Sequence, residues 1–187
     1  MILLLLTNEA DCLAYQHRRT TAKTNRHHPG RSAYRASGLV RRYYGDSRMY
    51  YAYSPGFYKE AGEWFAKKKV KMIGSDTQAL DHPLGTAIGP HGPGWPNGLL
   101  PDVNREYERE TGRKVIEDFP DWEPCHQAIL KEGICGFENI GGEIDKVTGK
   151  RVTFAAFPWR WTKGDGCIVR LVAIVDPSGQ YRIEPGK

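Results

Sequence analysis

The sequence predicts a mixed α/β domain, and three observations carry the prediction. Residues 57–69, FYKEAGEWFAKKK, place Phe57, Ala61, Trp64 and Phe65 on one helical face and run into the apolar segment VKMIG at residues 70–74. Residues 125–131 repeat the pattern on a smaller scale, as a short helix stopped by Gly133 and followed by the apolar residues 134–137. Residues 167–175, CIVRLVAIV, form a long apolar run with the character of a central strand. Helix followed by strand, twice within 187 residues, fits one domain with a sizeable core.

In chain order, MILLLL at residues 1–6 reads as a buried β-strand. It is too short to span a bilayer and lacks the basic flank of an export signal, so cytoplasmic residence is expected. Residues 7–37 show neither helical nor strand periodicity and are broken at Pro29-Gly30, which reads as loop or disorder. Regular structure is expected from Gly38 onward. The helix at 57–69 follows Pro55-Gly56, and the strand at 70–74 closes on a glycine and the loop SDTQALD, the kind of connection that carries function. Residues 82–102 hold five prolines and five glycines, which forbid long regular structure and describe either a lid or binding loop or else a surface excursion or oligomer contact. A charged helix at 103–111 and a polar crossing to Trp122 come next. Pro124 suits the first turn of the helix at 125–131, because the N–H that proline lacks is one this turn leaves unbonded. EIDKVTGK makes a turn, residues 151–157 alternate toward a strand, and the run at 167–175 ends at DPSG.

The formal net charge of +5 is unevenly placed. Residues 1–48 hold nine basic groups, eight of them Arg, against three acidic ones, and the remainder nets −1. This basic arm has no interleaved apolar positions to hold a recognition helix, so a nucleic-acid partner is not expected, and His17, His27 and His28 read as part of a solvated segment. Cys12, Cys125, Cys135 and Cys167 are scattered without a CxxC pair, which argues against a zinc knuckle, a thioredoxin-like site or a disulfide framework.

The candidate chemistry sits in two places. His126 and Glu138 stand at the two ends of the helix, glycine and strand unit within EPCHQAILKEGICGFENI. Both are residue types that ligate zinc or manganese, but a catalytic zinc takes three protein ligands plus an open position, so the pair supplies part of a site. A histidine at a helix start also serves as a capping or hydrogen-bonded structural group. Asp76, Asp81 and His82 lie together on the loop after residues 70–74, where Asp76 either holds a backbone turn or orients a catalytic histidine. Ser75 has no GxSxG elbow, and Cys125 and His126 diverge as adjacent helical positions. GDG at 164–166 is a tight turn without either Gly-rich phosphate-binding pattern.

Several ordered blocks resemble the cyclase-like metal-dependent hydrolase family that includes bacterial kynurenine formamidase and isatin hydrolase. They are Tyr43-Tyr44-Gly45, Ser54-Pro55-Gly56 with Glu60, Ala61 and Trp64, then VKMIGSDTQALD, His126 through LKEGICGFENIGGEI, Phe157-Pro158 and KGDGCIVRLVAI. Together they cover residues 38–176 apart from the insert at 82–102. The resemblance implies a mixed-sheet swivelling β/β/α domain at residues 38–187, N-terminally incomplete, after a basic, poorly ordered or non-homologous segment at 1–37. It implies a Zn2+ or Mn2+ site using His126 and Glu138, with Glu138 as ligand or proton carrier.

The family's upstream His-x-Gly-Thr-His-x-Asp motif is absent from this sequence. HPLGT at residues 82–86 lies downstream of its place, and His82 is retained as a catalytic candidate, with His91 as a second histidine able to line a pocket. The activity implied is formamidase-like hydrolysis of a small-molecule amide, lactam or ester by metal-activated water, of the arylformamidase kind that serves tryptophan catabolism. An aromatic substrate would pack on Trp95, Trp122, Trp159 or Trp161, and a homo-oligomer without membrane contact is expected. The alternative is a catalytically inactive truncated homologue or a non-catalytic subunit of the same fold.

Overall fold

The computed structural model describes residues 3–4, 45–91, 98–147, 150 and 152–178. The readings for Cys12, His17, His27, His28 and Trp95, and for the basic segment as a whole, lie outside the described residues. Strands β1 (Leu3–Leu4), β2 (Met72–Gly74) and β3 (Cys135–Phe137) form a parallel sheet in that order, with Met72 opposite both Leu3 and Cys135. Strands β4 (Thr153–Ala156) and β5 (Leu171–Ile174) form an antiparallel pair. The helices are α1 (Ser47–Ala52), α2 (Lys59–Lys68), α3 (Pro101–Thr111), α4 (Val115–Asp118) and α5 (Pro124–Leu130). The class is α/β, built from short strands, with no helix among the described residues long and apolar enough to cross a membrane.

Side-chain alternation along β2 divides the core. Ile73 packs with Ala61 and Phe65 of α2, Cys125 and Ile129 of α5, and Leu80. Met72 belongs instead to a cluster with Val147 and Phe154, against which Phe137, Leu171 and Ala173 pack. The parallel sheet therefore lies between a helical layer and the β4–β5 ribbon. Helices α2 and α5 approach closely because Gly62 has no side chain, and a Cβ there would lie 2.8 Å from Ala128 Cβ and 2.9 Å from Cys125 Cα. A third cluster joins Ala52, Leu84, Val103, Val115 and Phe119.

Several elements depart from the sequence-based expectation, each for a local reason. Helix α2 starts at Lys59 because Phe57 is held extended, its N–H donating to Leu80 O at 2.6 Å and its carbonyl accepting from His82 N at 2.8 Å. The polar crossing before Trp122 contains α4, a single turn whose Val115 and its C-cap Phe119, four residues apart, are buried together, a pair too short to establish a period. The insert is no surface excursion over its described first half: Leu84, Ile88 and His91 are buried, and a 3₁₀ turn forms at Pro83–Gly85.

The run at 167–175 is not a central strand. Only Leu171–Ile174 is strand, paired among the described residues to β4 alone in a two-stranded sheet, and Ile168, Val172, Ile174 and Val175 are exposed. Continuous apolar sequence signals a strand covered on both faces. Here one face meets the Met72 cluster and the other meets no layer among the described residues.

Candidate functional site

Strand β2 delivers the loop of residues 75–82, and this loop gathers the site. Its far end is pinned by the parallel bridge between Phe57 and Asp81. Gly56 permits the approach, since a Cβ there would stand 2.3 Å from His82 N and 2.4 Å from Asp81 O. Strand β3, hydrogen-bonded to β2 in parallel, brings Glu138 and Asn139 alongside the same loop. Asn139 adopts the left-handed conformation at φ 53, where its N–H donates to Thr77 O and its amide to Gln78 O. The buried Tyr50 of α1 contributes from the other side, with its hydroxyl 2.7 Å from Asn139 Oδ1 and 3.1 Å from Asp76 O.

Helix α5 supplies His126. Its entrance is unusual, with Glu123 in the left-handed region at φ 44 and Pro124 in the first turn, so none of its own side chains caps it. The orphan N–H groups go to Asp81 instead: Cys125 N donates to Oδ1 at 2.7 Å and His126 N to Oδ2 at 3.0 Å. The same Oδ2 accepts from the ring of His126 at Nδ1, 2.6 Å away. The opposite ring nitrogen, Nε2, lies 3.2 Å from Glu138 Oε1, which also accepts from Leu80 N at 2.8 Å.

The result is a carboxylate, imidazole, carboxylate line, Asp81 to His126 to Glu138. Asp81 is fully buried, whereas the side chains of His126 and Glu138 retain 24% and 33% exposure, so the line runs from the core to a solvent-accessible end. Hydrogen bonds to Asp81 and Glu138 raise the His126 pKa to about 10 against the opposing effect of burial, making the ring a cation at neutral pH. For Glu138, burial works upward, but the hydrogen bonds from His126 and Leu80 N–H outweigh it and hold the carboxyl below its usual range. Burial pushes the carboxyl of Glu123 up, with His126 pulling the other way. Burial also pushes the Cys125 thiol far above its ordinary range, which leaves it a packing group rather than a nucleophile.

The structure thus brings His126 and Glu138 together. His82 stacks on Phe119 with ring centroids 4.5 Å apart, and its Nδ1 accepts from Leu84 N at 3.2 Å, so the neutral ring carries its proton on Nε2. His91 is buried with Nε2 2.6 Å from Phe119 O, a structural tie between the insert and α4. Trp122, Trp159 and Trp161 are exposed. The carboxylate that orients His126 is that of Asp81. Nothing local distinguished Asp81 in the sequence, since its partner lies 45 positions away.

In this small α/β domain the strand-end loops hold a buried carboxylate against an imidazole and a second carboxylate against its far nitrogen. Comparison with known families narrows the class: the family described as Putative cyclase matches residues 9–82, in keeping with a cyclase-like family. The match begins inside the basic segment that the sequence reading set apart and ends at His82, so it includes Asp81, while His126 and Glu138 lie beyond it. No curated protein and no solved structure matches the chain.

Proposed function

We propose that this chain carries the site of a metal-dependent hydrolase in the swivelling β/β/α fold of the cyclase-like enzymes, acting on an amide, lactam or ester bond of a small molecule. The observation that supports it most is the His126 ring, with Nδ1 on buried Asp81 and Nε2 turned to Glu138. Metal-ligating histidines characteristically donate their other ring N–H to a carboxylate, which fixes the ring and raises its basicity. His126 Nε2 and the Glu138 carboxylate are therefore the donors that fit zinc or manganese. Among the described residues no group of three or more His, Cys, Asp and Glu side chains could hold an ion, so the two donors need others to complete a site.

A divalent ion held there supplies Lewis acidity toward a carbonyl and toward water. The protein's own share is distinct. Leu80 N–H and Asp81 hold the two donors in register, and Glu138, partly exposed, is placed to accept and return a proton. His82 handles protons through Nε2, because Leu84 N–H occupies Nδ1.

A second reading is favoured by the raised pKa of His126: the line is then a structural ion pair in a non-catalytic homologue or subunit, a cation clasped between two carboxylates. Metal analysis and zinc or manganese titration of the purified chain separate the two. About one ion per chain, lost in both His126→Ala and Glu138→Ala, is the expected result. Equal and negligible binding in all three proteins would remove the hydrolase reading and leave the ion pair.

A further inference from the structure

We infer that Asp81 is a positioning residue that decides which nitrogen of His126 faces the reacting side of the site. The inference deepens the metal-site reading and rests on it only for its affinity readout. Asp81 is 0% exposed and spends both oxygens on one short segment. Oδ1 takes Cys125 N at 2.7 Å, and Oδ2 takes both His126 N at 3.0 Å and His126 Nδ1 at 2.6 Å.

A carboxylate that served only to cap α5 would be satisfied by the two backbone N–H groups. The third bond, to the ring, adds something a cap does not need. Because an ionised carboxylate only accepts, Nδ1 must carry a proton, and the nitrogen that gives up its proton or binds an ion is then Nε2. Gripping one residue by both backbone and ring also leaves the imidazole a single orientation, with Nε2 3.2 Å from Glu138 Oε1.

The adjacent residue completes the arrangement. Leu80 N–H holds Glu138 Oε1 at 2.8 Å, so consecutive residues of one loop position the two members of the pair. The loop cannot slide, because Phe57 is bonded to it on both sides of Asp81, through Leu80 O and His82 N.

Asp81→Ala tests this by removing both acceptors at once; in Asp81→Asn an oxygen standing in the place of Oδ2 keeps both bonds to His126. The expected result, in a variant whose circular dichroism matches the parent, is loss of the proton from His126 Nδ1, with Nε2 still protonated toward Glu138, by nitrogen-15 NMR of the metal-free protein at about pH 9. Zinc affinity should fall about 10- to 100-fold with it. A folded Asp81→Ala protein with its Nδ1 proton and zinc affinity both unchanged would overturn the inference.

If the parent itself binds no zinc, the metal reading fails but the Nδ1 proton still decides the role of Asp81. If Asp81→Ala does not fold, the parent decides: a protected, far-downfield Nδ1 proton on His126 supports the inference, and its absence refutes it.

Discussion

His126 donates from both ring nitrogens, to Asp81 on one side and Glu138 on the other, and this has a measurable consequence for pH. Its pKa rises from 6.5 to about 10 on folding, so the folded state binds the proton more tightly than the unfolded chain. The resulting stabilisation is fully present below pH 6.5 and is lost as pH climbs through about 10. Glu138 acts in the opposite sense, its depressed pKa favouring the fold above the ordinary carboxylate value of 4.5 and ceasing to do so as pH falls. Urea unfolding of the metal-free protein should therefore show stability falling by on the order of a few kcal/mol across the alkaline window, and His126→Gln should flatten the profile. A parent profile already flat there would mean that the ring is not held as a cation. Zinc affinity should move the other way and rise with pH, because Nε2 must shed its proton to bind. Residue chemistry was legible in the sequence for His126 and Glu138, whose types and shared helix-to-strand unit marked them as a pair. Asp81 was visible only as one of several loop acids, since its role depends on a contact 45 residues away.

At the scale of elements, two glycines hold the site together without belonging to it. Gly62 brings α2 against α5, and the nearest obstacles to a Cβ are Ala128 Cβ at 2.8 Å, Cys125 Cα at 2.9 Å and Cys125 O at 3.0 Å. Gly62→Val should push the helices apart and cost about 1–3 kcal/mol of stability, measured by denaturant unfolding, because close-packed interiors relax only partly around an added group. Gly56→Ala should be worse, since its Cβ would meet backbone atoms of Asp81 and His82 at 2.3–2.4 Å that cannot rotate away. The expected outcome is loss of the Phe57 bridge and, with it, of the His126 to Asp81 hydrogen bond. A Gly56→Ala protein as stable as the parent and with the Nδ1 proton intact would show that the loop is set by other contacts. Helices α2 and α5 and strands β2 and β3 were readable because apolar periodicity, a proline at the start and glycine at the stop are local signals. Helix α4 and the edge character of β5 were not, because Val115 and Phe119 make a single pair, too short to establish a period, and a strand's neighbours are not written in the strand.

For the molecule as a whole, the two faces of the parallel sheet are unequally supported, and this predicts unequal stability. On the helical face, Phe65, Ile73, Leu80, Cys125 and Ile129 are all at most 1% exposed and come from α2, β2, the site loop and α5. Among the described residues the opposite face is covered by the two-stranded ribbon of β4 and β5, packed through Phe154 on Met72, with Val147 and Ile144 beside it. Its connection carries Phe157, Trp159 and Trp161 largely in solvent. Two-stranded ribbons are marginal by themselves, and segments with few buried contacts open at less than the global unfolding cost. Amide hydrogen exchange should accordingly be slowest in β2, α2 and α5 and faster by at least tenfold in β4 and β5. Phe154→Ala should widen that gap by freeing the ribbon, yet leave the Asp81, His126 and Glu138 line and its Nδ1 proton unaltered. Phe65→Ala should instead destabilise everything together, by about 3–5 kcal/mol, because it opens a cavity between the helices that carry the site. Uniform protection across both faces, or collapse of the His126 environment in Phe154→Ala, would mean that the ribbon and the helical layer form one cooperative unit. The site would then depend on the far side of the sheet as much as on the loop that builds it.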